Sequence, residues 1–209
     1  MKRILLCLLV LLCSACAAPN FVAQVSSRST LPASSPVAGK RFIIETPPGQ
    51  EQSIARRDFA AQIARELKSR GMTQVGDSQF ADWLLRFDWR VSGPVSTTTQ
   101  YPVHSSIGIF GGGWSWGGIG MSFPIYSEST QTNWYARELT LDIYDPRALK
   151  SGQFAKLYEA KASNSSTSNA IEPAVPWLIR AVFQDFPQPG VIRREVRIPY
   201  DPATAASNP

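Results

Sequence analysis

The longest unbroken apolar run, Ile4 to Cys13, stands directly behind Lys2 and Arg3 and directly ahead of Ser14, Ala15 and Cys16. As a helix, ten such residues cover about 15 Å, half the hydrocarbon thickness, so the run predicts a secretory signal and not a spanning segment. Further on, Phe21 to Val25 alternates weakly and predicts an edge strand, and residues 31–39, rich in proline and serine, predict a loop. Arg41 to Thr46 predicts a short strand stopped by Pro47-Pro48-Gly49. Phe59, Ile63 and Leu67 then recur every four residues, with Ser53 placed to cap a helix and Gly71 to stop it. Arg56, Arg57, Arg65, Lys68 and Arg70 are assigned to its outer, solvated face, with Asp58 and Glu66 between them.

Trp83 to Val91 alternates clearly: Leu85, Phe87, Trp89 and Val91 point one way, Leu84, Arg86, Asp88 and Arg90 the other. Trp134 to Tyr144 predicts a second such strand, a turn at Asp145-Pro146 ends it, and Phe154 to Ala162 predicts a third. A polar loop is expected from Ser163 to Asn169. Val175, Leu178, Ile179, Val182, Phe183 and Phe186 form one apolar helical stripe. Pro176 belongs in its first turn and places the start near Pro173 or Ala174. Val191 to Ile198 predicts a final strand. The order β-α-β-β-β-α-β predicts an α+β fold: a single mixed, mostly antiparallel sheet of four to six strands with two helices packed on one face.

The exit of the leading run resembles a bacterial lipobox, in which a small residue precedes the cysteine that becomes the acylated mature N-terminus. Ser14, Ala15 and Cys16 fit the pattern, whereas Cys13 stands where a leucine is usual; cleavage by an ordinary signal peptidase near Ala17 or Ala18, giving a protein secreted to the periplasm, is the alternative. Ala17 after the cysteine, in place of an aspartate, implies transport to the outer membrane. The chain is further similar to a family of Gram-negative lipoproteins carrying a domain of unknown function. The resemblance rests on Gly71 followed by Ala81-Asp82-Trp83-Leu84-Leu85, on Arg137 to Ile143, on Tyr158 to Ala162 and on Val182 to Pro187. It implies fold and location but no catalytic residues. The expected organisation is a signal over 1–15, a short tether over 16–20, one domain over 21–200 with a Gly/Trp-rich insertion at 105–127, and a flexible tail over 201–209.

Composition sharpens this picture. The 209 residues are 44% hydrophobic and 18% charged, enough for one buried core and unlike a disordered polyelectrolyte. The net charge of +5 drops to +3 once Lys2 and Arg3 leave with the signal, and the compartment disfavours nucleic acid as a partner. Of three cysteines only Cys16 would remain, carrying lipid. A lone histidine, His104, with no CxxC or HExxH, supplies no ligand set, so neither metal nor cofactor is expected beyond the covalent lipid.

Half of the fourteen glycines fall between Gly108 and Gly120, interleaved with apolar residues and indoles, and no charge appears between Arg90 and Glu128. The segment 107–123 is therefore the candidate contact with the bilayer or an envelope protein, through Phe110, Trp114, Trp116 and Phe123. The competing reading is a long hairpin folded back over the sheet. Gly113-Trp114-Ser115-Trp116-Gly117 spells a G-x-S-x-G elbow, but the glycines after it suit no helix and His104 precedes the serine, so an envelope hydrolase using Ser115 is only the alternative. The favoured function is non-catalytic: a lipid-anchored, periplasm-facing binding or assembly component of the outer membrane, or else a purely structural or stress lipoprotein.

Overall fold

In a computed structural model the described residues are 20–32, 36–107 and 121–199, with 101–107 and 121–128 described by their backbone. The elements are β1 (Asn20–Ser29), β2 (Arg41–Ile44), α1 (Ile54–Ser69), β3 (Thr73–Gln74), β4 (Trp83–Ile107), β5 (Met121–Tyr144), α2 (Pro146–Lys150), β6 (Lys156–Ser166), α3 (Val175–Phe183) and β7 (Gly190–Pro199). The strands form one open mixed sheet in the order β3-β2-β4-β5-β6-β1-β7. β2 runs parallel to β3 and β4; all other neighbours are antiparallel.

The α+β class is as expected, but among the described residues there are seven strands and three helices, not four to six and two. The two-residue β3 is too short to carry a period. The short α2 hides in the Asp145-Pro146 turn: Asp145 accepts from the backbone of Arg147 (2.8 Å) and Ala148 (3.4 Å), and Pro146 fills the first turn. An aspartate before a proline opens turn and helix alike. β1 is no edge strand either. It lies between β6 and β7, with Phe21, Ala23 and Val25 buried.

α1 and α3 cover one face of the sheet. Ser53 Oγ accepts from Arg56 N (3.2 Å) to start α1, and Gly71, at φ +81°, ends it. Ile63 and Leu67 are fully buried, and Phe59 meets Trp89 edge-on at 4.9 Å. In α3 the stripe is as expected, with Val175, Leu178, Ile179, Val182 and Phe183 all buried. Its start follows a 3₁₀ turn at Glu172–Ala174, and Phe186 lies past its end, wedged edge-on against Tyr158 at 5.0 Å and Trp83 at 5.9 Å. The sheet answers with Leu85, Leu139, Leu141 and Ile143, none of them exposed. Each such leucine contributes about 1.5–3 kcal/mol by burial.

Two strands differ from expectation at their ends. β6 begins at Lys156, leaving Phe154 83% exposed, and continues through Ser166, where a loop was expected. β4 and β5 are far longer than their alternating segments, 25 and 24 residues, because Gly93-Pro94 is absorbed as a bulge between Ser92 and Val95. Gly93 sits at φ +123°, where an added Cβ would lie 2.8 Å from Trp134 O and 3.3 Å from Tyr135 Cα.

Gly93→Ala should therefore lose roughly 1–3 kcal/mol of stability, read from its urea midpoint, while Gly49→Ala, where a Cβ meets nothing within 4 Å, should lose less. Burial pushes the Tyr158 phenol up to about 12, and its hydroxyl donates to Val182 O at 3.3 Å. An unfolded tyrosine ionises near ~10, so this contribution to stability is intact below about pH 10 and is lost as pH rises towards 12. Unfolding measured from pH 8 to 12 should show a steeper alkaline decline, by roughly 2–3 kcal/mol, in the wild type than in Tyr158→Phe.

Candidate functional site

The functional candidate is built by the outer halves of β4 and β5. β2 accompanies β4 only as far as Ile44 opposite Leu85, and β6 accompanies β5 only from Tyr144 back to Tyr135 opposite Ser166. From Val95 opposite Trp134 to Ile107 opposite Met121 the two strands pair with each other and with no third described strand. Thirteen residues of β4 extend about 40 Å in this way. Near the base the ribbon lies in solvent: Val95 and Trp134 face each other at 69% and 42% exposure, and Ser96 Oγ donates to Asn133 Oδ1 at 2.7 Å.

The register sorts the ribbon's residues. On β4 the odd positions are Val95, Thr97, Thr99, Tyr101, Val103, Ser105 and Ile107; opposite them stand Trp134, Thr132, Thr130, Glu128, Tyr126, Phe123 and Met121. The even positions, Ser96, Thr98, Gln100, Pro102, His104 and Ser106, pair with Asn133, Gln131, Ser129, Ser127, Pro124 and Ser122. Alternate positions of a strand belong to opposite faces. One face thus collects the aliphatic and aromatic positions, prolines and Ile125 apart, together with four threonines, Ser105 and Glu128; the other holds serine, threonine, asparagine, glutamine, proline and histidine. Ile125 falls in the register shift between Val103 and His104.

Of the residues singled out from sequence, Phe123 lies on β5 opposite Ser105, and His104 lies opposite Pro124. Phe110, Trp114, Ser115 and Trp116 lie outside the described residues, as does Cys16. The first described residue after Cys16 is nonetheless informative. Gln24 is in register with Ser163, Ser163 with Glu138, and Glu138 with Arg90. Four residues back along β1, Asn20 stands level with Trp134. The chain enters the domain on the sheet edge from which the ribbon leaves.

Arg56 is the residue that the sequence misplaces. Assigned to the solvated face of α1, it is 2% exposed. Its Nη1 donates to Phe87 O at 2.8 Å, the next carbonyl on the β4 edge after β2 has ended. The guanidinium lies 4.8 Å from the Phe87 ring and 4.7 Å from the Trp89 ring, with Gln50 Oε1 on Nε and Asp88 Oδ1 at 3.1 Å on Nη2. Asp88 is 75% exposed, so the cost of burying the charge is offset chiefly by the carbonyl and the two rings. No helical period reports a side chain that turns back onto a strand edge.

The uncovered sheet face is a lattice of opposite charges. Glu138 is held between Arg90 (2.8 Å) and Lys161, and Lys156 between Asp142 (3.2 Å) and Glu159 (3.3 Å). Burial, then the Asp142 carboxylate, pushes the Tyr144 phenol up. At the far side Arg41 grips Asp82 through side chain and backbone and holds its carboxyl below the usual range. A cleft of about 460 Å³ on this face is lined by Ser26, Arg28, Thr140, Asp142, Glu159 and Lys161. Paired charges of this kind solvate a surface and pin strands in register. Among the described residues no three histidine, cysteine or acidic side chains cluster as metal ligands.

A family described as a domain of unknown function (DUF4136) matches residues 33–188. No curated protein matches the chain. Similar solved structures include a PDZ domain protein from Parabacteroides distasonis, 14% identical with a TM-score of 0.48, matched over 85% of this chain and 38% of its own. The present chain thus spans well under half of that protein. A PelC dodecamer from Paraburkholderia phytofirmans is 12% identical over 78% of this chain and 99% of its own, at a TM-score of 0.41. A minor lipoprotein from Acinetobacter baumannii is 17% identical over 70% and 84%, at 0.28.

Arg56→Met retains the aliphatic stem but removes the donor and the cation. It should cost about 2–4 kcal/mol in chemical unfolding, whereas Arg57→Met, on the exposed face, should change stability by less than about 0.5 kcal/mol.

Proposed function

The chain belongs to the DUF4136 family, and we propose that this member is a lipid-anchored protein of the cell envelope that works by binding, not catalysis. Acyl chains on Cys16 hold it at the outer membrane with its domain facing the periplasm, and residues 107–123 at the end of the ribbon make the contact. The observation that carries the reading is the shared sheet edge: Asn20, four residues after Cys16, stands level with the ribbon's base. Four residues span at most about 14 Å. Anchored through Cys16, the domain presents its ribbon edge to the bilayer.

A second feature supports binding over chemistry. The ribbon holds one charged residue, Glu128, and its apolar positions collect on one face, the composition of a contact surface. Each buried methylene of a lipid contributes about 0.8 kcal/mol, so several chains on one cysteine give stable anchoring.

Cys16→Ser should move the protein from the membrane pellet to the soluble periplasmic fraction on cell fractionation; an unchanged pellet would remove the lipid anchor from the account. A shortened ribbon lacking 107–123 should stay in the pellet but lose the wild type's cross-linked partners, and identical partners from both would leave a structural lipoprotein.

A further inference from the structure

The tether and the ribbon constrain each other by length. Both leave the sheet by one edge: β1 begins at Asn20, level with Trp134, and from that row β4 and β5 run on for thirteen rows without a third described strand. Thirteen rows extend about 40 Å, whereas the four residues from Cys16 to Asn20 span at most about 14 Å. With the strands along the bilayer normal, the far rows would lie about 26 Å beyond Cys16, inside hydrocarbon. That position is closed to them. Both ribbon edges carry backbone N–H and C=O groups that no other described strand pairs, and two lone strands cannot satisfy these in lipid. Glu128, six rows beyond Trp134 and so about 20 Å from it, would pass below Cys16 as well. Interfacial structures reach about 5–10 Å into the boundary layer. Even with that depth and a fully stretched tether, the ribbon inclines by at least about 50° from the normal.

The helices decide which face turns to lipid. α1 and α3 cover one face with helices about 10 Å across, and laid against the bilayer that face would hold the ribbon's base away from it. β5 alternates without interruption from Glu138 through Ala136 to Trp134, so Trp134 belongs to the open face, with the ion pairs of Glu138. Val95 stands opposite it, exposed. An exposed indole beside an exposed valine suits the interfacial layer, where the ring is buried and its N–H meets head groups. On the same face Arg193, opposite Ser26, and Arg197, opposite Val22, offer guanidinium groups to anionic lipid. We propose, building on the Cys16-anchored reading, that the domain reclines on the bilayer: its open sheet face rests on the lipid head groups, Trp134 and Val95 are the apolar contacts, and α1 and α3 face the periplasm. The ribbon then runs sideways along the surface and carries its end up to about 40 Å from the sheet. A partner met by that end is one held in or on the same membrane.

The experiment uses the full-length lipidated protein in vesicles of phosphatidylethanolamine and phosphatidylglycerol that carry a nitroxide quencher on the head group. Cys7 and Cys13 leave with the signal and Cys16 is acylated, so an introduced cysteine is the single free thiol for a fluorescent label. Thr132→Cys lies two residues from Trp134 on the open face; Arg28→Cys lies on the same face, eight residues and roughly 27 Å from Asn20. Both labels should be quenched, and a label at Arg57→Cys, on the exposed side of α1, should be spared. An upright domain would quench Thr132→Cys but not Arg28→Cys, and one lying on its helices would quench Arg57→Cys; either pattern overturns the proposal. Adding Trp134→Ser should weaken the quenching at Arg28→Cys while the protein still floats with the vesicles, and unchanged quenching removes the indole from the contact. Protein that floats with all three labels unquenched overturns the reclined posture alone. Protein that does not float at all defeats the anchored reading beneath it.

Discussion

Backbone pairing between β4 and β5 is the constraint on which the rest of the structure depends, because one continuous ladder serves two environments. Over its inner half it is flanked by β2 and Arg56 as far as Phe87 on one side and by β6 from Tyr144 back to Tyr135 on the other, and its inward positions meet α1 and α3. Over Val95 to Ile107 the same ladder runs on with two strands only. The inner half contributes Leu85, Phe87, Leu139, Leu141 and Ile143 to the buried core. An isolated two-stranded hairpin is marginal in water, so the outer half borrows its register from the inner. The junction is where the chain needs Gly93, whose positive φ and contact with Trp134 O leave no room for a side chain.

Elsewhere the edges of the sheet are closed off. β3 is only two residues long, β2 gives way to the Arg56 guanidinium, and β7 carries Arg193, Arg194 and Arg197 along the opposite edge. Short strands and cationic edges are how water-exposed sheets avoid pairing with one another. The ribbon is built differently, long and with Glu128 as its single charge. The open face follows the same logic as the edges: exposed ion pairs contribute little to stability, about 0–1 kcal/mol each, but keep a broad surface solvated.

The sequence alone settles what depends on near neighbours along the chain. Ser53 and Gly71 bracket α1, the stripe from Val175 to Phe183 places α3 on the core, and alternation from Trp83 to Val91 marks a half-buried strand, because caps and periods act within a turn or a few residues. It also settles the absence of charge from Val91 to Ser127. Tertiary structure alone decides what depends on distant partners. Phe21 to Val25 reads as an edge until β7 pairs with it; Arg56 reads as solvated until β2 stops short and leaves Phe87 O to it; Gly93-Pro94 reads as a terminator until β5 accommodates the bulge. The faces of the ribbon belong to this second class. Ile125 breaks the alternation on β5, so only the register with β4 sets Tyr126, Phe123 and Met121 opposite the apolar positions. Only the sheet order brings Asn20 level with Trp134, because hydrogen bonds between strands far apart in sequence fix both.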